Sequence, residues 1–592
     1  MTYQAPVDDI LHALKSAAGL DDLLSRNILA DLDTDTVRAI IEEAGRFGSE
    51  ILDPLNRDGD RIGSTLSSGK VATPPGWTEA YRQFVESGWS ALPGPPEYGG
   101  QGLPEIVSMA VSEIWNATNL SFGLCPLLTQ GAIGAIEAGG SEELKATYLP
   151  KLVSGEWSGT MNLTESQAGS DLSALKTRAV PQDDGSYRIF GTKIFITYGE
   201  HEMCENIIHL VLARLPDAPA GTRGISLFLV PKYLVNSDGT LGARNDLSCT
   251  GLEEKLGIHA SPTCVMTFGE RDGAVGFLVG EENRGLNTMF IMMNAARLAV
   301  GVQGVAIAER ATQRAIAYAR ERRQGRAPGP RDEAISIIKH PDVRRMLLTM
   351  KAMTQAARAI CLATAREIDI ARQAATADER EHAAARAALL TPVAKAFSTD
   401  VGCEVASLGI QVHGGMGFIE ETGAAQYYRD ARILPIYEGT NGIQAIDLVT
   451  RKLPLGDGTV LKGYLAELRQ TVEKLTASNR PEFGTMAKRL ADAVEALSEA
   501  SVWIGDQLTT SPQKALAGAT SYLRLFGIAA GGCYLANGAI NSVMDDDPQR
   551  GLRTGLARFF AEQIATAAPG LAVTVTTGAD AILALDPEAL GT

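Results

Sequence analysis

The sequence predicts a mainly α-helical protein into which one β domain is inserted. Apolar residues recur at helical spacing from about residue 7 to residue 130, and again from residue 287 onward. Between these regions lie short β-branched and aromatic runs bounded by Gly, Pro and Asp. The chain has 592 residues, several times the size of a typical domain. We therefore expect several packed units.

The amino-terminal part predicts an extension at residues 1–36 and a helical domain at residues 37–157. Val37, Ile40 and Ile41 share one helical face, and Asp35 is the expected cap ahead of them. Residues 94–103 are rich in Pro and Gly, which exclude a regular element. This segment predicts an ordered loop between helices.

After Trp157 the pattern predicts a β domain over residues 158–280. Its expected strands are residues 187–190, 207–213, 225–230 and 264–268. Helical spacing then returns over residues 289–323, 340–374 and 379–408, lengths that suit a bundle of long helices. This bundle is expected to span residues 281–453.

A last helical unit is predicted at residues 460–592, after a linker rich in Gly and Pro. Its first helix carries an apolar stripe made of Leu461, Leu465, Leu468, Val472 and Leu475. The stripe predicts a helical appendage that packs on another surface.

Composition and charge exclude several classes of function. The 54 Lys and Arg against 70 Asp and Glu give a net charge of −16, which disfavours nucleic acid as a partner. The seven cysteines never form a CxxC pair and the histidines lack ligand spacing, so neither a disulfide framework nor a metal site is indicated. The amino terminus lacks a signal pattern, and no uninterrupted apolar run is long enough to span a bilayer. We expect a cytoplasmic protein without membrane insertion.

Two segments suit a flat, phosphate-bearing ligand. Residues 163–171 collect small and hydroxyl side chains where helix gives way to β structure, and such a loop can present N–H groups to a pyrophosphate. An ordinary polar turn is the alternative. Phe195 and Thr197 share one face of a strand, which suits stacking and hydrogen bonding on a ring as well as plain strand packing.

Glu438 is the candidate catalytic base. It follows an apolar stretch and precedes Gly439, a residue that permits close approach of a ligand to the backbone. A desolvated carboxylate at this place has a raised pKa and can accept a proton. The alternative is a solvated loop acid.

Taken together, these segments resemble the acyl-CoA dehydrogenase family. The matching segments follow the family order and comprise residues 95–103, 164–171, 193–197, 251–268, 278–290, 318–323 and 411–444. The resemblance implies a helical amino-terminal domain, a central β-barrel-like domain and a carboxy-terminal helical bundle. The appendage resembles that of a larger subgroup, whose members include enzymes for 3-methylmercaptopropionyl-CoA and for a broad range of acyl-CoAs.

The resemblance implies an FAD-dependent oxidation of an acyl-CoA thioester to the trans-2-enoyl-CoA. Glu438 would take the α-proton and flavin N5 the β-hydride, while the backbone N–H of Glu438 would stabilise the enolate oxygen. Electron-transfer flavoprotein is the implied acceptor, and a homodimer or higher homo-oligomer the implied assembly. The implied FAD-binding residues are Leu163, Thr164, Ser170, Phe195, Thr197, Arg322, Gln411, Gly415 and Thr440, and the implied substrate-binding residues are Ser170, Arg297 and Gly439.

Four positions depart from the family pattern, namely Ser166 for Pro, Phe195 for the frequent Trp, Tyr198 for Asn and Gly442 for Gln. We expect the cofactor contacts to differ there. A short or medium acyl group, including a sulfur-bearing one, is favoured over a long-chain one. The alternatives are a long-chain dehydrogenase, an acyl-CoA oxidase and a non-catalytic dehydrogenase-like flavoprotein; the net charge argues against a DNA-bound form of the last.

Overall fold

The computed structural model describes residues 2–29, 32–326 and 334–591. Its amino-terminal part is built from helices and one small hairpin. Its helices are α1 (Val7–Ser16), α2 (Leu20–Ser25), α3 (Thr34–Phe47), α4 (Asp53–Ile62), α5 (Trp77–Glu86), α6 (Glu105–Thr118), α7 (Leu120–Gly139) and α8 (Glu142–Ser154), and its strands are β1 (Thr65–Ser67) and β2 (Lys70–Ala72). The predicted helical character of this part is confirmed.

Two local features differ from the sequence-based expectation. The cap of α3 is Asp33, whose side chain accepts the N–H of Thr36 at 2.7 Å, so the expected cap at Asp35 is wrong. The β1–β2 hairpin lies in a part expected to be helical. Ser68 and Gly69 have φ values of 50° and 73°, as a two-residue hairpin turn requires. The turn at Ser68 and Gly69 therefore determines the local structure, although helical periodicity surrounds it.

The strands of the β domain are β3 (Trp157–Asn162), β4 (Arg178–Pro181), β5 (Tyr187–Thr197), β6 (Asn206–Ala213), β7 (Ser226–Pro231), β8 (Tyr233–Val235), β9 (Leu241–Arg244), β10 (Leu247–Leu252), β11 (Thr263–Phe268) and β12 (Ala274–Val279). Eight of them form one sheet, ordered β10-β11-β5-β12-β7-β6-β3 with β4 paired to β5, and β8 and β9 form a separate two-stranded sheet. The strand β5 joins two parts of the large sheet, because its first half pairs with β12 and β4 and its second half with β11. The predicted β domain is confirmed.

The carboxy-terminal bundle is formed by α9 (Gly285–Glu321), α10 (Pro341–Gln373), α11 (Ala377–His413), α12 (Ala424–Ala431) and α13 (Asn441–Asp447). Its long helices approach one another closely. A Cβ atom on Gly304 would lie 2.3 Å from the carbonyl oxygen of Ser398, so only glycine permits this approach of α9 to α11.

The appendage packs on α10 and α11, as its apolar stripe predicts. Arg386 donates two hydrogen bonds to Glu467, at 2.7 and 2.8 Å, and Gly527 lies directly against the ring of Phe397. The amide of Asn537 donates to the carbonyl of Ser16 at 2.8 Å, which ties the appendage to α1 as well. The helices of the appendage are α14 (Thr459–Ser478), α15 (Met486–Thr510), α16 (Pro512–Met544), α17 (Arg550–Phe559), α18 (Ala568–Thr577) and α19 (Ala579–Leu583).

Within the described part of the chain, three helices, α7, α9 and α16, are long and apolar enough to cross a membrane by length and composition alone. Between 72% and 78% of their most apolar windows is buried inside the protein. A helix that is apolar on all sides is typical either of a membrane or of the core of a large protein. Here these apolar surfaces are covered by neighbouring elements of the same chain.

The contact between the appendage and the bundle makes a prediction about stability. In Gly527→Ala the new Cβ would lie 2.2 Å from the Phe397 ring, so we expect overpacking to lower the stability by about 1–3 kcal/mol. The matched control is Gly505→Ala in α15, where no atom lies within 4 Å of the added Cβ. In this control we expect the free energy of unfolding to rise by up to about 1 kcal/mol, because alanine has a higher helix propensity than glycine. Thermal unfolding measures both effects, and a loss of stability that is equal in the two variants would contradict this packing.

Candidate active site

Glu438 lies in the loop between α12 and α13, and its backbone is strained. Glu438 and Gly439 have φ values of 56° and 80°, so two consecutive residues occupy the left-handed region. Such a conformation is rare for a residue other than glycine and is typical of functional sites. The hydroxyl of Thr440 then accepts the N–H of Ile443 at 3.3 Å and caps α13. The turn therefore fixes where the Glu438 side chain leaves the backbone.

The environment of Glu438 tunes its carboxylate toward base catalysis. The residue is half-buried. Burial raises the pKa of Glu438 to about 7, while the positive charges of Arg297 and Lys395 act in the opposite direction. A general base is most effective when its pKa lies near the working pH. Glu438 has this property.

The backbone of Glu438 also offers a hydrogen-bond donor. Over the described residues its N–H has no intramolecular acceptor, whereas its carbonyl accepts the side-chain amide of Gln444 at 3.2 Å. A free N–H next to a basic carboxylate can stabilise negative charge on an oxygen while the carboxylate removes a proton from the neighbouring carbon. The loop thus carries both groups that an α-deprotonation requires.

Arg297 lies on α9 near the base and is buried. One of its terminal nitrogens donates to Asn294 at 3.1 Å and lies 3.9 Å from a carboxylate oxygen of Asp447. Its Nε has no hydrogen-bond partner among the described residues. Arg297 also lines a cavity of about 1080 Å³ to which α6, α7, α9, α10 and α11 contribute residues. The predicted substrate-binding arginine therefore both acts electrostatically on the base and lines a cavity.

The cavity has a mixed apolar and polar wall. Trp115, Leu127 and Ile133 contribute apolar surface, and Ser112 and Gln130 contribute polar groups. Ligand pockets of this size, apolar with a few polar groups, hold small organic molecules. The cavity therefore has the size and lining of a site for a small organic molecule, and Glu438 is not among the residues that line it.

The loop expected to bind a cofactor is held against β5 by a buried ion pair. Lys193 on β5 donates to Glu165 at 2.9 Å and to the carbonyl of Leu163 at 3.0 Å. Glu165 also accepts the N–H groups of Lys176 and Thr177, and the ion pair holds its pKa at about 2 against the effect of burial. The ion pair therefore orders this loop.

A bulge in β5 shapes the other half of the cofactor site. Two residues of β5, Ile194 and Phe195, oppose one residue of β11, and Phe195 has a φ of 61°. The Phe195 side chain is 58% exposed, and Thr197 is half-buried two positions on. The N–H of Ile194 donates to the carbonyl of Thr164 at 2.9 Å. The structure thus brings Leu163, Thr164, Phe195 and Thr197 together, with Ser170 exposed in the same loop.

Thr440, a further cofactor candidate, lies in the base loop, and the other three lie on another surface of the chain. Arg322 ends α9 and is exposed, and Gln411 and Gly415 are exposed at the end of α11. The rings of Tyr318 and His413 stack with their centroids 4.4 Å apart, which joins these two helix ends. Their common surface, which we call the α9–α11 end, is solvent-exposed in the single chain.

These residues fit FAD. Phe195 is exposed at the bulge between β5 and β11, where its ring offers a flat apolar contact that a large aromatic side chain would otherwise not present to solvent. At the α9–α11 end, a Cβ added to Gly414 or Gly415 would meet no atom within 4 Å, so the backbone there is open to a ligand. The exposed Ser170 offers a hydroxyl that can form a hydrogen bond with the cofactor. Ser166 is exposed as well. Tyr198 is buried, and its hydroxyl donates to the carbonyl of Ser121 at 2.7 Å. That the FAD contacts differ at Ser166, Phe195, Tyr198 and Gly442 stays a prediction.

The structure also shows functional candidates that the sequence reasoning missed. Lys395 contacts the base loop, and Glu165 and Lys193 hold the cofactor loop. A signal for Lys395 is present in the sequence, because a lone lysine stands in the otherwise apolar and small-residue run at residues 389–397. All seven cysteines are unpaired, and the described residues include no cluster of three His, Cys, Asp or Glu that could hold a metal ion.

Comparison with family models identifies the class of protein that this fold and site define. Three acyl-CoA dehydrogenase models match in order, the N-terminal domain at residues 34–156, the middle domain at 160–270 and the C-terminal domain at 283–453. A fourth model, described as acetyl-CoA dehydrogenase C-terminal like, matches residues 464–586. The chain belongs to the acyl-CoA dehydrogenase family. It is an FAD-dependent oxidoreductase that dehydrogenates acyl-CoA thioesters.

Two similar proteins indicate which members of the acyl-CoA dehydrogenase family the chain resembles. The chain is 50% identical to 3-methylmercaptopropionyl-CoA dehydrogenase of Ruegeria pomeroyi, over 96% of this chain and 95% of that protein. It is 36% identical to a butyryl-CoA dehydrogenase of Syntrophomonas wolfei, over 83% and 82% of the two chains. Both matches extend well beyond the residues of the site.

Two solved structures share the fold. Acyl-CoA dehydrogenase ACDH-11 of Caenorhabditis elegans, solved in complex with C11-CoA, superposes with a TM-score of 0.78 at 21% identity, covering 98% of this chain and 95% of that chain. An acyl-CoA dehydrogenase of Bacillus anthracis, solved with FAD, gives 0.71 at 22% identity, with coverage of 94% and 90%. The appendage is therefore part of a fold that these proteins share.

The ion pair in the cofactor loop makes a testable prediction. Glu165→Gln leaves the buried ammonium of Lys193 without a carboxylate, which typically costs about 3–5 kcal/mol. We expect a lower melting temperature and faster loss of FAD on dilution, measured from flavin fluorescence. The control is Glu156→Gln, which removes an exposed partner of Lys151 and should change neither. FAD retention equal to that of the wild type in Glu165→Gln would disprove the role of the pair.

Proposed function

We propose that this dehydrogenase acts on 3-methylmercaptopropionyl-CoA or another short- or medium-chain acyl-CoA, with Glu438 as its base. The observation that carries the base assignment is the left-handed loop, in which a carboxylate with a pKa of about 7 stands beside a free N–H. The identity of 50% over nearly the whole chain supports the substrate.

The reaction follows from the roles of the residues. The N–H of Glu438 binds the thioester oxygen and makes the α C–H more acidic. The carboxylate of Glu438 then takes the α-proton in a site from which the acyl chain excludes water. Bound FAD would supply the acceptor for the β-hydrogen and its electron pair, and loss of both hydrogens would leave a trans double bond between Cα and Cβ. Arg297 balances the charge of Glu438, and Thr440 and Gly439 fix its loop.

Leu163, Thr164, Ser170, Phe195 and Thr197 are proposed to hold the flavin half of FAD. Arg322, Gln411 and Gly415 lie at the α9–α11 end and are proposed to reach the FAD of a second copy. A planar guanidinium suits a pyrophosphate, and Arg322 is free to extend from the surface. The proposal therefore includes a homodimer or a higher homo-oligomer, electron-transfer flavoprotein as the acceptor and a cytoplasmic location.

A second substrate class is supported by the cavity. At about 1080 Å³ it is larger than a methylthiopropionyl group requires, so acyl chains of medium length are a second candidate. An acyl-CoA oxidase would share Glu438 and differ in passing electrons to oxygen. A non-catalytic flavoprotein would have no use for the raised pKa of Glu438.

The assignment of the base predicts the behaviour of Glu438→Gln. Glutamine keeps the size and one oxygen of the side chain but accepts no proton, so we expect the variant to bind FAD and acyl-CoA normally. Loss of a general base typically slows a reaction by about 10²–10⁴-fold. Stopped-flow bleaching of the flavin measures this rate. Glu421→Gln in the exposed turn before α12 is the matched control and should bleach at the wild-type rate.

The wild-type enzyme should also show a defined pH dependence. The active form is the carboxylate, so kcat/KM should rise with pH and level off above the pKa of about 7. A flat profile between about pH 5.5 and 8.5, or bleaching of Glu438→Gln at more than about a tenth of the wild-type rate, would show that another group removes the proton.

The substrate proposal is tested by a panel of acyl-CoAs under anaerobic conditions. We expect kcat/KM to be highest for 3-methylmercaptopropionyl-CoA, followed by butyryl-CoA and hexanoyl-CoA, and lowest for palmitoyl-CoA. Timed admission of air then measures reoxidation of the reduced enzyme, which should be slow for a dehydrogenase. A preference for palmitoyl-CoA would favour the long-chain alternative, and reoxidation within one turnover would favour the oxidase.

A further inference from the structure

Lys395 is a lysine buried inside the bundle beside the base loop. Its side chain is completely inaccessible to solvent. Among the described residues it forms no ion pair with a carboxylate, whereas the buried Lys193 and Lys232 each contact a glutamate. A buried ammonium without a directly paired carboxylate is costly and is rarely retained for packing alone. We therefore expect Lys395 to have a specific role at this position.

The contacts of Lys395 all lead to the loop that carries Glu438. The ammonium donates to the carbonyl of Gly439 at 2.9 Å and to the side-chain oxygen of Asn441 at 2.8 Å. The amide of Asn441 in turn donates to Thr399 at 3.0 Å and to Asp400 at 2.7 Å, both on α11. One helix thus holds the residue that follows the base and the first residue of α13.

These hydrogen bonds help to hold the strained loop in its conformation. Two consecutive left-handed residues cost free energy, and the surrounding contacts must hold them in place. The carbonyl of Gly439 belongs to the peptide directly after the strained pair, so a hydrogen bond to it restrains the ψ of Gly439 and the position of the turn that carries Glu438. The second restraint on this side of the loop is the Gln444 amide on the Glu438 carbonyl, at 3.2 Å.

We propose that Lys395 is a positioning residue for the dehydrogenation, which fixes the Glu438 loop through Gly439 and Asn441 and places a positive charge behind the base. The inference rests on the proposed role of Glu438. Lys395 does not contact the substrate in this scheme. It acts on the reaction through the place and the charge of the carboxylate.

The charges around Lys395 support an electrostatic part of this role. Burial lowers the pKa of Lys395 to about 7, and Glu438 and Asp400 oppose that effect. The ionisable groups that face it are Glu438 on the loop, Arg297 on α9, and Asp400 and Cys403 on its own helix. Loss of the lysine charge would favour the protonated form of Glu438, so the pKa of the base would rise.

The test compares Lys395→Met, which keeps the length and removes the charge and the donor, with Lys395→Gln, which keeps a donor. In Lys395→Met we expect FAD binding to persist and flavin reduction to slow by about 10–100-fold, as for a base displaced by about an ångström. We also expect the rise of kcat/KM to shift to higher pH. Lys395→Gln should show the same pH shift with a smaller loss of rate.

The matched control is Lys232→Met in the β domain, a buried lysine that pairs with Glu200 far along the chain from the base. It should lower the melting temperature without moving the pH profile. A wild-type rate and profile in Lys395→Met would overturn the proposal. A slower Lys395→Met enzyme with an unmoved profile, destabilised as much as Lys232→Met, would assign the lysine a structural role only and would also overturn it. If Lys395→Met does not fold, the profile of Lys395→Gln decides by the same criterion.

Glu438→Gln measured in parallel separates the two claims. If Glu438→Gln still bleaches at the wild-type rate, the proposed base is wrong and the role of Lys395 is wrong with it. If Glu438→Gln is inactive while Lys395→Met behaves as wild type, the base assignment stands and only the positioning role is wrong.

Discussion

The left-handed turn at Glu438 and Gly439 is the constraint on which the arrangement of the site depends. A turn of this kind costs about 1–3 kcal/mol at a residue other than glycine, so the surrounding helices must hold it. A short stretch of α11 does this while also forming the core. Lys395 contacts the loop, Phe397 packs against the appendage, and the carbonyl of Ser398 meets α9 at Gly304. The stability of the bundle and the placement of the base are therefore coupled.

The same region sets the charge of the base. Burial makes the ionised form of Glu438 less favourable, and the positive charges of Arg297 and Lys395 make it more favourable. These opposing effects leave the pKa of Glu438 at about 7, close to neutral pH. The cofactor loop uses a closer ion pair for a different purpose. Lys193 contacts Glu165 directly, which keeps that carboxylate ionised and the loop ordered.

Much of this fold could be predicted from the sequence, because hydrophobic periodicity decides long elements. The long helices of the bundle and the main strands lie where the pattern places them. Glu438 could be singled out because it follows an apolar stretch and precedes a glycine. Local deviations from the periodic pattern could not be predicted. The bulge at Phe195 breaks the alternation of a strand, and Asp33 competes with Asp35 for one cap. The role of Lys395 depends on a contact between residues 44 positions apart.

A crystal structure of the FAD-loaded Glu438→Gln variant with an acyl-CoA substrate bound would test the role of Glu438 directly. We expect the side chain of residue 438 to lie about 3–3.5 Å from the α-carbon, the distance of a reacting pair. We also expect the thioester oxygen to accept the backbone N–H of residue 438. An α-carbon that lies closer to another carboxylate, or a thioester oxygen held by other donors, would show that Glu438 is not the base.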